Sequence, residues 1–271
     1  MASVDSVVTT ALTSGECTLM GEIPRASNAT ALVVVESGGR TLKAVYKPVS
    51  GERPLRDFAR GTLGLREVAS YRLSRGLDLG VVPPTVLRTD LAAGPGSLQA
   101  YVEASGTADP VALTSVAEIP EGYVPMFALR TEDGRDLVLS HGLGEGLRRI
   151  AFFDLLVGNA DRKAGHIITG STLPGEPAAD GVYGIDNGLS FHTEEKLRTV
   201  LWGFAGAEFD DAEESALSTL TDVPAALADD LGECLSEAEI IALSQRAQAL
   251  RAEGAFPEPP GDRTVIPWPP I

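Results

Sequence analysis

Alternation of apolar and polar positions dominates the first third of the chain. Residues 18–23 and 30–36 are short runs rich in β-branched side chains and predict strands. Ser37-Gly38-Gly39-Arg40 predicts a tight turn and residues 41–46 a third strand, so a meander is expected before residue 48. Pro48, Gly51 and Pro54 then interrupt regular structure. From residue 63 to 77 the period lengthens: Leu65, Val68, Ala69 and Leu73 recur at helical spacing, and Gly76 and Gly80 mark the end. Glu67 lies off that apolar stripe, so periodicity by itself places it at the surface. Residues 81–87 must be extended, because Pro83 and Pro84 forbid a helix there. Residues 97–102 predict one more strand and residues 106–110 a connector.

Beyond the connector the pattern turns mostly helical. Residues 147–157 form an apolar-rich helix that should stop at Gly158-Asn159, and residues 182–186 a short strand entering a turn at Asn187-Gly188. Residues 210–220, 224–231 and 236–253 are amphipathic helix candidates, the last opened by Ser236 with Glu239 three residues on, the spacing of a capping box. Six prolines between residues 257 and 271 predict an extended tail. No internal repeat is visible. The expected organisation is an α+β, two-lobed chain: a lobe of sheet plus one helix over residues 1–105, a mostly helical lobe over 106–256, and a proline-rich tail over 257–271.

Composition narrows the function. With 271 residues, 44% of them apolar and 22% charged, the chain can bury a sizeable core. It carries 38 acidic against 22 basic residues, a net charge of −16. Such a balance argues against non-specific nucleic-acid binding and against anionic membrane surfaces, both of which need a basic face. No apolar run approaches the ~18 residues of a membrane span, and residues 1–14 lack the basic-then-apolar order of a secretory signal. Cys17 and Cys234 form no CxxC pair and no disulfide framework, so a cytoplasmic setting is expected.

Three polar features break the apolar pattern in a fixed order. Lys47 closes a strand in Val45-Tyr46-Lys47-Pro48; a polar loop, Gly158-Asn159-Ala160-Asp161-Arg162-Lys163-Ala164-Gly165-His166, follows the apolar helix; and a strand closes on an acid in Ile185-Asp186-Asn187-Gly188. Phosphoryl transfer from a nucleotide needs a fixed cation on the donor phosphates, a carboxylate to orient or deprotonate the acceptor hydroxyl, and a second carboxylate to hold Mg²⁺. Lys47, Asp161 and Asp186 supply one of each. Each also has a plainer reading: a surface lysine at a strand end, a solvated charge cluster at 161–163, a turn built of good turn residues at 186–188. Their order in one chain is more specific than any of them singly. His141 and His192 read as structural or exposed.

With those residues in view, the chain resembles the phosphatidylinositol 3/4-kinase superfamily, and most closely the type II phosphatidylinositol 4-kinases. Val45-Tyr46-Lys47-Pro48 resembles that family's ATP-binding strand. Arg66-Glu67-Val68-Ala69-Ser70-Tyr71 with Val81-Val82-Pro83-Pro84-Thr85 resembles its helix with an acidic partner and the strand that follows. Asn159-Ala160-Asp161-Arg162 resembles its catalytic loop, and Ile185-Asp186-Asn187-Gly188-Leu189-Ser190-Phe191 its metal-binding segment. The likeness spans about residues 20–204. It implies a kinase-like fold with ATP in the cleft, Lys47 on the phosphates and Glu67 as its partner, and Tyr101, Val102 and Glu103 as the hinge against adenine. It further implies Asp161 as base, with Arg162 and Lys163 beside it, Asp186 on Mg²⁺, and Asn159, Asn187 and Gly188 as structural members of the site.

Two departures bear on chemistry. His166 stands where the family's loop ends in a metal-binding Asn; imidazole is an unusual ligand for Mg²⁺, so His166 can contact phosphate, favour a softer ion such as Mn²⁺, or mark weakened catalysis. The nucleotide-covering loop, residues 24–30, has no glycine, leaving Ser27 and Asn28 as its phosphate donors. A palmitoylated cysteine cluster and a polybasic run are also missing, which favours a soluble hydroxyl acceptor, protein or small molecule, over an inositol lipid. Lys196 and Arg198 can bind an anionic acceptor group or simply face solvent, and the tail ending in Trp268 can dock a protein partner or pack on its own domain. Three activities follow: a kinase, a nucleotide-binding pseudokinase scaffold, or a nucleotidyl-transferring enzyme.

Overall fold

The computed structural model describes residues 3–23, 28–106 and 109–271. The first body is a five-stranded antiparallel sheet in the order β1-β2-β3-β5-β4, with β1 Glu16–Glu22, β2 Ala31–Ser37, β3 Arg40–Pro48, β4 Thr85–Arg88 and β5 Gly96–Ala100. The hairpin between β2 and β3 closes through Gly38 and Gly39, both at positive φ (56° and 74°). Two consecutive left-handed residues match the right-handed twist of the strands, which is why a Gly-Gly pair stands there. Apolar residues of β2, β3 and β5, with Val33, Val35, Leu42, Ala44 and Leu98 at their centre, bury one sheet face against α1 (Val4–Ser14), which contributes Val8 and Leu12. Residues 4–14 carry no local strand or helix signal; Ser3 caps the helix they form, and its short amphipathic face is covered by distant parts of the chain, the sheet together with Leu173 and Ala179.

Helix α2 (Leu63–Gly76) runs from that sheet into the second body. It buries residues on nearly every side, Glu67 included, at 2% exposure. The sequence expectation of a surface Glu67 is therefore corrected: a helix walled on all sides leaves no solvent face for periodicity to reveal. Ala69, Tyr71 and Leu73 belong to the larger core, which also contains α3 (Glu145–Val157), α4 (Asp211–Thr221), α5 (Ala225–Gly232) and α6 (Glu237–Glu253). The predicted capping box of α6 forms, Ser236 N–H donating to Glu239 at 2.8 Å, and α3 ends on a left-handed Gly158.

Two small antiparallel sheets accompany these helices, beyond the single strand at 182–186 that the pattern predicted. One has the order β11-β10-β6, from β6 Glu103–Ala104, β10 Ile167–Ser171 and β11 Asp180–Gly184; the other is β7-β9-β8, from β7 Val111–Thr114, β8 Tyr123–Arg130 and β9 Asp136–Gly142. At the crossing of β6 over β10, a Cβ on Gly170 would lie 2.1 Å from the Glu103 carbonyl oxygen, so only glycine admits that contact. Among the described residues, no helix is long and apolar enough to cross a membrane.

Candidate active site

Strand β3 alternates inward Leu42, Ala44 and Tyr46 with Lys43, Val45 and Lys47 on the opposite face, so the period of two puts Lys47 on the cleft side. Its Nζ donates to Glu67 Oε1 at 2.5 Å and to Asp186 Oδ1 at 2.8 Å, which brings sheet, helix α2 and the turn after β11 to one point. Burial works against the Lys47 charge, but Asp186 and Glu67 outweigh it and hold the ammonium above the usual lysine range. Lys47 in turn holds the Asp186 carboxyl well below the ordinary carboxylate value, against the effect of burial. Burial pushes Glu67 up, with Lys47 pulling it back. The second Glu67 oxygen, Oε2, is buried without a hydrogen-bond partner.

The loop after α3 is fixed from behind. Asp154, on the last turn of that helix and fully buried, accepts from Arg162 Nε (3.0 Å) and Nη2 (3.0 Å) and from Asn159 Nδ2 (3.1 Å). Asn159 Oδ1 accepts the Asp161 N–H at 2.9 Å, and Arg162 also reaches the Ile185 carbonyl and the Asn187 side chain. Arg162 is 0% exposed. The expectation that it stands with the catalytic side chains is corrected: it is the internal tie between the two acidic loops, and it does not reach the cleft. Asp154 was overlooked in the sequence; an acid set among Phe152, Phe153, Leu155 and Leu156 was the signal, since such a carboxylate is buried only if paired. Asp161 keeps contact with the cleft. Lys163 lies 3.2 Å from it, and burial raises its carboxyl, with Lys163 opposing and Asp186 adding to the rise.

Asp186 adopts a left-handed conformation (φ 58°), and so does the fully buried Phe191 (φ 63°) five residues on. A bulky residue rarely pays this conformational penalty of about 1 kcal/mol or more, and such outliers cluster at sites of function. Asn187 is fully buried and donates to the Gly184 carbonyl at 2.9 Å, while Gly188 passes beside Leu63 of α2. His166 Nε2 lies 3.3 Å from Asp186 Oδ2; its Nδ1 is buried and unpartnered, and burial pushes its pKa down to about 4, so the ring is neutral near pH 7.

Two cavities meet at the Lys47–Asp186 pair, and Asn28 lines both. One, of about 290 Å³, is an apolar slot between Val45 and Ala100 of the sheet and Ile168 and Ile185 of the second body, with Tyr101, Val102 and His166 on its wall. The other, of about 230 Å³, is bounded by Glu67, Asp161, Leu63, Leu189 and Arg53. Glu103, at the end of the expected hinge, lines neither cavity, and its carboxylate turns to Lys43, at 2.9 Å. Asn28 spends its Oδ1 on the Arg53 N–H (2.9 Å). Ser27 and the rest of residues 24–27 lie outside the described residues.

A segment the sequence marked only by its breakers closes the front. Residues 52–61 leave β3, and the Glu52 carboxylate accepts the N–H groups of Gly61 (2.8 Å), Leu63 (3.1 Å) and Gly64 (3.2 Å), satisfying donors at the start of α2. The segment then reaches the second body: Asp57 pairs with Lys196 at 2.9 Å, its carbonyl meets His192 Nε2 at 3.0 Å, and the Phe58 ring packs edge-on to His192. Lys196 is thus committed to an internal pair, whereas Arg198 is exposed and its charge acts on Asp161. At the back, the tail folds onto the same loops. The Val265 carbonyl accepts from Thr199 N and Trp202 Nε1, both at 3.0 Å, and the Pro270 carbonyl from Ala164 N at 2.9 Å, while Trp268 remains exposed.

No protein-family model matches the chain. It is 44% identical over 268 residues to Protein Rv2133c of Mycobacterium tuberculosis, a match covering 95% of this chain and 93% of that one. Among solved structures, the Helicobacter pylori proinflammatory kinase CtkA aligns with a TM-score of 0.44 at 10% identity, covering 90% of this chain and 94% of the other.

Proposed function

We propose that this chain, which belongs to the family of Protein Rv2133c, is an ATP-dependent phosphotransferase of the phosphatidylinositol 3/4-kinase-like type, moving the γ-phosphoryl group to an acceptor hydroxyl. The observation that carries the reading is the convergence of Lys47 from the sheet with Glu67 and Asp186, on cavities that also expose Asp161. The apolar slot suits a flat base, with Tyr101 and Val102 on its wall. Lys47 neutralises donor phosphates, and Glu67 keeps it extended from the strand. Asp161 orients the acceptor hydroxyl and takes its proton as the new bond to phosphorus forms; positioning and charge neutralisation do most of the work in such transfers.

The residues present also fit a divalent cation. Asp186 stays ionised, His166 offers a neutral ring with a buried unpartnered nitrogen, and both border the nucleotide slot. Among the described residues no cluster of three ligating side chains exists, which suits an ion held by one or two protein groups and completed by phosphate oxygens and water. Mg²⁺, or Mn²⁺ given the imidazole, would neutralise the charge developing on the phosphates. The test is transfer of γ-labelled phosphate from ATP into fractionated cell extract, with lipid, protein and small-molecule pools counted separately. Asp161→Ala and Asp186→Ala should each lower transfer by on the order of 10²-fold or more; wild-type rates in Asp186→Ala defeat the assignment.

A further inference from the structure

Helix α3 buries every side chain from Ile150 to Val157, and Asp154 is the one acid among them. It is 0% exposed and lines neither cavity. A carboxylate paired with a guanidinium is a costly way to fill a core. Apolar side chains of similar volume commonly stabilise such a spot as well or better, because the attraction between buried charges seldom exceeds the loss of their hydration. What a charged pair adds over leucine and methionine is direction.

The guanidinium of Arg162 has five N–H donors in a rigid plane, and each has an acceptor. Nε donates to Asp154 Oδ2 at 3.0 Å; Nη2 donates to Asp154 Oδ1, also at 3.0 Å, and to Asn187 Oδ1. Nη1 donates to the Ile185 carbonyl at 2.6 Å and, more weakly, to the His166 carbonyl at 3.4 Å. Ile185 and Asn187 flank Asp186, and Arg162 itself follows Asp161. One planar group therefore fixes the neighbours of both cleft carboxylates. Asp154 also accepts from Asn159 Nδ2, whose Oδ1 receives the Asp161 N–H, so a second route from the same carboxylate reaches the base. Asp186 is held at φ 58°, a conformation that persists only where its surroundings over-determine it. Here the grip lies on the residues at either side of it.

We propose that Asp154 is a positioning residue for phosphoryl transfer: through Arg162 it fixes the separation of Asp161 from Asp186, and with it the reach from the acceptor hydroxyl to the cation-bound phosphate. The proposal rests on the phosphotransferase reading. Asp154 touches neither substrate nor cation. It keeps the two acids in register, and a displacement of about 1 Å at a reacting centre can lower a rate by on the order of 10²-fold.

Breaking a buried pair also destabilises, so the experiment separates stability from alignment. Asp154→Asn keeps the side-chain shape but strands the Arg162 charge. Glu213→Gln is the matched control: this α4 carboxylate, 2% exposed, holds Arg148 through two bonds of 2.9 and 2.7 Å and contacts neither acidic loop. The double variant Asp154→Leu/Arg162→Met removes both charges at similar volume. Each full-length protein is assayed for transfer of γ-labelled phosphate from ATP into cell extract, for urea unfolding, and for Mn²⁺ binding by EPR with a non-hydrolysable ATP analogue present. Asp154→Asn should lower transfer by on the order of 10²-fold, change KM for ATP by no more than about threefold, and weaken Mn²⁺ binding about tenfold. Glu213→Gln should unfold at lower urea yet keep wild-type transfer and Mn²⁺ affinity. The double variant should regain the wild-type unfolding midpoint while transfer and Mn²⁺ affinity stay low, because the hold on Ile185 and Asn187 is gone. Equal losses of transfer in Asp154→Asn and Glu213→Gln, or transfer restored together with stability in the double variant, overturns the proposal. A wild-type chain that transfers no label overturns the phosphotransferase reading and this one with it, whereas full transfer and Mn²⁺ affinity in Asp154→Asn overturn this one alone.

Discussion

At the scale of single residues, the site separates two carboxylates by environment. Asp186 faces an ammonium and a neutral imidazole and stays ionised far into acid, while Asp161 is displaced upward by burial. In the proposed role, only the ionised form of Asp161 accepts the proton, so transfer is expected above its raised pKa and fades as pH falls through it. The acid limb of the pH–rate profile for γ-phosphoryl transfer should therefore lie above the ordinary aspartate range. His166 should add a second loss only near its value of about 4. A limb at or below the usual carboxylate value contradicts the assignment of Asp161. Lys47, Asp161 and Asp186 were legible in the sequence because each is a polar residue at the end of an apolar run. Arg162 was misread because nothing local distinguishes an arginine facing phosphate from one buried on Asp154, eight positions earlier in the chain.

At the scale of elements, long regular segments declared themselves and short irregular ones did not. Strands β2 and β3 with their Gly-Gly turn, helix α3 with its glycine stop, and α6 with its capping box follow from local chemistry, and the structure has them within a few residues of their predicted bounds. The sheet β7-β9-β8 gave no comparable signal: its outer strands are mostly half-exposed, and only the central β9 buries a continuous run, which mixes polar Ser140 and His141 with Val138 and Leu139. The segment 52–61 has no regular structure, and its anchoring at Asp57 and Phe58 depends on Lys196 and His192, which lie 139 and 135 residues beyond Asp57 in the chain. The tail belongs to the same class: extended as expected, it packs on its own chain. Deleting residues 262–271 removes the acceptors of Thr199 N, Trp202 Nε1 and Ala164 N, leaving donors beside the catalytic loop unpaired. We expect a loss of about 2–4 kcal/mol in urea unfolding and a larger fall in transfer rate than in ATP affinity. An unchanged midpoint and rate would show that the tail is an independent appendage.

At the scale of the whole molecule, α2 is fastened to both bodies. Tyr71 bonds with Thr9 (2.8 Å) and Asp5 (2.7 Å) of α1, while Arg66 pairs with Glu239 of α6 and with the Ser190 carbonyl, and Arg72 with Asp230 and Glu233. The ion pair of Arg66 is nearly buried on both sides, so removing one partner strands a charge, a costly state. The Arg66→Ala variant should release fluorescent ADP several-fold faster than wild type in a stopped-flow chase, and an unaltered rate would show that these ties do not restrain the cleft.

That fastening has a kinetic corollary. Under the proposed phosphotransferase function, a jaw riveted on both sides stays aligned between turnovers but gives spent nucleotide little room to escape. Phosphorylation of the acceptor would then outrun clearance of ADP, and the first catalytic cycle would finish faster than those behind it.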